Sequence, residues 1–147
     1  MSQSHERLKR ILQEQGRDPK KSLGQNFLIN DAVIDKIITA SMNLKGQHLL
    51  EIGPGPGSLT YSLVENIKPQ VESFRVIELD RGWAEFWRQA GLDVIEADAL
   101  QIEWSDLIHE DTVLVSNLPY QISSTLVIDR SLDKNRLGGM ILMFQKE

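Results

Sequence analysis

Cysteine is missing from all 147 residues, which rules out a disulfide framework and a thiolate metal site. No apolar run approaches the roughly 20 residues that cross a bilayer. The opening MSQSHERLKRILQEQGRD has neither the continuous apolar stretch nor the small-residue cleavage site of a secretory signal. Internal repeats and low-complexity tracts are absent too. These absences fit a reducing interior, and a cytoplasmic protein with no membrane partner is expected.

What is present is ordinary for a globular chain: 41% hydrophobic and 25% charged residues, enough for one domain with a real core. The net charge of −5 argues against coating nucleic acid by bulk electrostatics. Its distribution is uneven. Residues 1–21 hold six basic and three acidic side chains, whereas the remainder nets −8. A basic arm ahead of an acidic body can touch phosphate locally, although a solvated helix with ordinary surface charge has the same composition.

Leu8, Ile11 and Leu12 recur at helical spacing within residues 4–15, and Gly16 is placed as a stop. The stretch 17–24 has no periodicity and reads as a linker. Residues 1–24 are therefore expected to be a basic helix and linker that order only with ligand or RNA, ahead of a domain spanning 25–147. A helix is predicted over 31–42, capped by Asn30 or Asp31. Strands follow at 48–52, 74–79, 93–97, 112–116 and 139–144. Helical stretches from Ser58, over 81–90 and over 123–132 separate them. Short apolar strands alternating with helices predict a doubly wound α/β fold with a mostly parallel sheet. The sequence stops after the fifth of these strands, so an open edge at 139–144 and self-association through it are expected.

In such sheets ligands sit beyond the carboxyl ends of the strands, and the informative residues fall there. Gly53, Gly55 and Gly57 follow the first strand and let backbone approach a ligand, although glycines also make plain tight turns. At the end of the second strand, Glu78 or Asp80 suits a grip on ribose hydroxyls, with Glu78 favoured. Asp98, at the end of the third, can accept a hydrogen bond from an adenine amino group. At the end of the fourth stand Asn117, Leu118, Pro119 and Tyr120. They offer a side-chain acceptor, a backbone carbonyl, a fixed turn and a flat face, a set suited to an exocyclic amine on a stacked base. The plain alternative is a proline turn with one buried tyrosine.

These motifs, in order, resemble the KsgA-type ribosomal RNA adenine dimethyltransferases. The resemblance runs from Lys20 onward through LGQNFL (Leu23–Leu28), EIGPGPGSLT (Glu51–Thr60), VIELD (Val76–Asp80), EADAL (Glu96–Leu100), NLPYQIS (Asn117–Ser123) and MFQKE (Met143–Glu147). It implies a Rossmann-like methyltransferase fold that binds S-adenosylmethionine through Asn26, Leu28, Gly53, Glu78, Asp98 and Asn117; Gly55 joins the cofactor-binding set from its place in the glycine turn. Tyr120 would stack on a target adenine. The implied reaction is N6-dimethylation of two adjacent adenines in a hairpin loop of small-subunit ribosomal RNA, with a role in ribosome biogenesis. The family pattern continues through two more strands and a helical domain, so the sequence is expected to cover only the cofactor-binding part. Rival readings are a non-catalytic ribosome-assembly module of the same fold, a large-subunit RNA methyltransferase of the resistance type, and a small-molecule methyltransferase.

Overall fold

The computed structural model describes residues 3–18, 30–43, 47–104, 109–118 and 137–144. The first helix, α1, spans Gln3–Glu14. The second, α2, spans Asp31–Ser41 and is capped by Asn30, whose side chain accepts from the Ala32 and Val33 amides, satisfying donors that have no partner within the helix. Then come β1 (His48–Ile52), α3 (Thr60–Asn66), a 3-10 turn (Lys68–Gln70), β2 (Ser73–Glu78), α4 (Arg81–Gln89), β3 (Asp93–Glu96), β4 (Thr112–Leu118) and β5 (Leu137–Phe144). The helix expected over 123–132 lies outside the described residues.

All strands run parallel in the order β3-β2-β1-β4-β5. Because side chains alternate across a strand, each strand feeds two cores. Leu49, Phe74, Val76, Val113 and Val115 point to one face, where they meet Ile34, Ile37 and Ile38 of α2, Leu63 of α3 and Trp87 of α4. Leu50, Ile52, Ile77 and Leu114 point to the other, covered among the described residues by Ala99, Ile102 and Trp104. Burial on both faces explains why these strands read as apolar runs rather than as alternating ones. No described helix is long and apolar enough to cross a membrane.

Two expectations change. Helix α3 begins at Thr60, not Ser58, and its N-cap Leu59 offers no side-chain hydrogen bond. The segment ahead of the sheet is also no detached arm over its described part. Leu8, Ile11 and Leu12 of α1 are buried in a third cluster with Trp83 of α4, flanked by Tyr61 and Phe86. Arg7 lies over the Tyr61 ring at 4.4 Å. The apolar stripe of α1 thus finds a docking face, which order conditional on ligand or RNA does not require.

Candidate functional site

From β1 the chain builds the sheet outward through β2 and β3, then returns to place β4 and β5 on the other side of β1. The switch in strand order lies between β1 and β4. Crossovers leave in opposite directions there and open a crevice at the carboxyl ends. Hydrogen bonds set the residues of those ends at one level. The Ser116 hydroxyl donates to the Ile52 carbonyl at 2.6 Å, so Gly53 and Asn117 follow side by side. The Gly53 amide donates to Ile77 O at 2.8 Å and the Ala97 amide to Glu78 O at 3.1 Å. Gly53, Glu78, Asp98 and Asn117 are thereby gathered along one rim.

The glycine turn is rigidly held. Gly53, Gly55 and Gly57 all have positive φ, at 65°, 52° and 92°, a region costly for residues with a Cβ. Gly55 is clamped from both sides: its amide donates to Glu78 Oε1 at 3.0 Å, and its carbonyl accepts from Trp87 Nε1 at 2.8 Å. At Gly57 a Cβ would stand 2.5 Å from the Trp87 ring and 2.8 Å from the Tyr61 ring. Gly57 is thus required by packing, whereas Gly53 is exposed at the carboxyl end of β1, where its positive φ is what favours glycine.

Glu78 is buried. Besides the Gly55 amide, its Oε2 accepts from the Asp80 amide at 3.0 Å. Burial pushes its carboxyl above the ordinary range; these N–H groups pull against that shift, and the nearby Asp80 charge adds to it. Asp98 is partly buried and accepts from the Leu100 amide at 2.9 Å, a local turn that fixes its side chain at the end of β3.

Asn117 Oδ1 is buried and makes no hydrogen bond among the described residues, as is true of Ser58 Oγ beside the glycine turn. A buried acceptor without a donor carries a desolvation cost of about 1–3 kcal/mol, so its persistence at a switch point invites a ligand donor. Strand β4 extends through Asn117 and Leu118, so both belong to the sheet's last residues rather than to a turn beyond it. Asn26, Leu28, Pro119 and Tyr120 lie outside the described residues.

Glu51 escaped the reading of the sequence. It is 2% exposed near the carboxyl end of β1, and the Thr60 hydroxyl donates to its Oε1 at 2.6 Å. Burial pushes its carboxyl up to about 8, the Thr60 bond opposing and the Glu78 charge adding, so it is largely neutral near pH 7. The visible signal was a lone acid inside an apolar strand run. Among the described residues no group of His, Asp and Glu is placed to hold a metal ion. The arrangement suits a nucleoside: glycine backbone at the floor, a buried acid on one side and, on the other, Asn117 Oδ1, unpaired among the described residues.

Residues 16–147 match the family Ribosomal RNA adenine dimethylase. Over its whole length the chain is 49% identical to Ribosomal RNA small subunit methyltransferase A of Bdellovibrio bacteriovorus and covers 53% of that protein. With the protein of the same name from Colwellia psychrerythraea, identity is 40% over 90% of this chain and 45% of the other. A dimethyladenosine transferase from Plasmodium falciparum superposes with a TM-score of 0.63 at 30% identity, covering 82% of this chain and 44% of the other. The 23S rRNA methyltransferase ErmE gives 0.65 at 27% identity, with 82% and 48% covered. The chain spans about half the length of the curated relatives it matches. On the extent of the family match and the identity along its whole length, the chain belongs to the ribosomal RNA adenine dimethylase family.

Proposed function

We propose that this protein transfers methyl groups from S-adenosylmethionine to N6 of two adjacent adenines in a small-subunit ribosomal RNA loop, as a cytoplasmic ribosome-biogenesis enzyme. The carrying observation is the buried Asn117 Oδ1, unpaired among the described residues and set beside Gly53 where the strand order switches. Gly53 and Gly55 line the floor, Glu78 receives the ribose hydroxyls, Asp98 accepts from the adenine amino group, and Asn26 and Leu28 complete the cofactor pocket. The cofactor supplies an activated methyl on its sulfonium.

The chain's own work is alignment. An adenine amino group is a weak nucleophile because its lone pair is delocalised into the ring. In the first transfer Asn117 Oδ1 and the Leu118 carbonyl accept the two amine hydrogens and turn the lone pair out of the ring plane; in the second, one of them accepts the hydrogen that remains. Pro119 fixes the backbone after the acceptors, and Tyr120 stacks on the base once it has left its own stack, which costs a few kcal/mol and least in a loop. The product sheds its proton readily, so no strong general base is needed.

Calorimetry with S-adenosylhomocysteine on the protein and on Glu78→Ala tests the ribose assignment; equal affinities would remove Glu78 from that role. Labelled cofactor offered with small-subunit and large-subunit RNA separately tests the substrate. Labelling of the large-subunit RNA alone would reassign the protein to the resistance type. Cofactor binding without labelling of either RNA would favour an assembly module.

A further inference from the structure

Arg17 lies just past α1, 63 positions before Asp80, yet its Nη2 donates to Asp80 Oδ1 at 2.8 Å. Its guanidinium also lies over the Trp83 ring, 4.5 Å from the centroid. Both partners belong to the β2–α4 junction that carries Glu78. Asp80 Oδ1 accepts from the Trp83 amide at 3.0 Å as well, so it caps α4. The Asp80 amide donates to Glu78 Oε2, and Glu78 Oε1 takes the Gly55 amide. An unbroken chain of contacts thus runs from the N-terminal segment through Asp80 to the buried acid and the glycine turn. Gly82 makes room for it: a Cβ there would meet Arg17 Nη2 at 3.0 Å and Asp80 Oδ1 at 3.2 Å.

We propose that Arg17 is a positioning residue for the cofactor: clasped to Asp80 and Trp83, it fixes the backbone whose amide orients Glu78, and so couples docking of α1 to ribose binding. The inference rests on Glu78 holding the ribose. The guanidinium suits this task because it is planar, always charged, and able to bond a carboxylate and stack on an indole together. A lysine can keep the ion pair but not the stack. Asp80 reports the clasp in its own ionisation: burial works upward, but the Arg17 bond and charge with the Trp83 amide hold its carboxyl below the usual range.

The test compares S-adenosylhomocysteine with its 2′,3′-dideoxy counterpart, on the protein and on Arg17→Ala, Arg17→Lys and Gly82→Ala. The unsubstituted protein should prefer the ligand with both hydroxyls. Arg17→Ala should weaken that ligand about fivefold or more, near the low end of common site-to-site couplings, leave the dideoxy ligand unchanged, and be partly rescued by Arg17→Lys. Gly82→Ala supplies a control of opposite sign. It raises helix propensity in α4 while crowding Arg17, so melting temperature should hold or rise as affinity for the intact ligand falls. If the unsubstituted protein does not distinguish the two ligands, the Glu78 assignment fails and the inference goes with it. If it does distinguish them, two results overturn the inference alone: undiminished affinity in folded Arg17→Ala and Gly82→Ala, or equal losses on both ligands.

Discussion

Asn117 Oδ1 and the Glu51 carboxyl are both buried polar groups of this sheet, and their satisfaction separates their roles. Asn117 Oδ1 has no partner among the described residues, so truncating it removes an unmet acceptor rather than a bond. Asn117→Ala should leave thermal stability equal or higher, while methyl transfer falls by roughly 10²–10³, the scale seen when one preorganised polar group is lost. Transfer at the parent rate would show that the amine is held elsewhere. Glu51 is satisfied by Thr60 but cannot ionise cheaply. Its carboxyl moves from 4.5 to about 8 on folding, so the folded state binds the proton more tightly across that window. Stability from this group is fully present below about pH 4.5 and is lost as pH rises towards 8, at about 1.4 kcal/mol for each pH unit in between. Glu51→Gln keeps an acceptor for Thr60 and removes the ionisation. Urea midpoints at pH 5.5 and pH 8 should therefore differ less in the variant than in the parent. Identical differences in both proteins would mean that Glu51 ionises without penalty. Asp80, whose carboxyl is lowered, acts in the opposite sense and only below its ordinary range, outside this window.

Among the elements, α1 and the glycine turn carry separable consequences. Leu12 is fully buried between α1 and Trp83, so Leu12→Ala should cost about 2–4 kcal/mol. Hydrogen exchange on the free protein should find the α1 amides protected. Rapid exchange there without ligand would mean that α1 orders only with ligand or RNA, as the basic charge and the linker after Gly16 suggest. In the turn, Gly57→Ala meets both a positive φ of 92° and the Trp87 ring at 2.5 Å. Strain and overpacking together should cost roughly 2–5 kcal/mol, read as a fall in the denaturation midpoint. A change within about half a kcal/mol would show that Trp87 and the turn move apart readily.

For the polypeptide of residues 1–147, the sheet sets the behaviour of the whole. Strand β5 pairs with β4 along one side and is an edge of the described sheet, with Met140, Ile141, Leu142 and Met143 only partly buried. Unpaired N–H and C=O groups along an apolar edge recruit further strands. We propose self-association through 139–144, seen as a molar mass that rises with concentration in light scattering. A monomer at high concentration with strongly protected amides at 139–143 would refute this. The relatives are about twice as long, and a chain carrying further strands beside β5 should lose the effect.

Much of this was legible in the residues themselves. Five apolar runs and the glycine turn located the described strands to within two residues; for the central β1 and β4 the reason is that strands covered on both faces are mostly apolar. Glu78, Asp98 and Asn117 could be placed at strand ends because a parallel sheet puts all carboxyl ends on one rim. Four things were decided only by tertiary structure. The strand order sets Asn117 beside Gly53, since Ser116 bonds to Ile52 across 64 positions, and no local pattern encodes that neighbour. The docking of α1 depends on Trp83 supplying a face for Leu8, Ile11 and Leu12; their helical spacing showed an apolar stripe but not what it packs against. The clasp of Arg17 on Asp80 and the neutral state of Glu51 arise from burial and approach. A sequence lists the groups that can ionise or pair, and the packed fold sets which of them lose water and which meet.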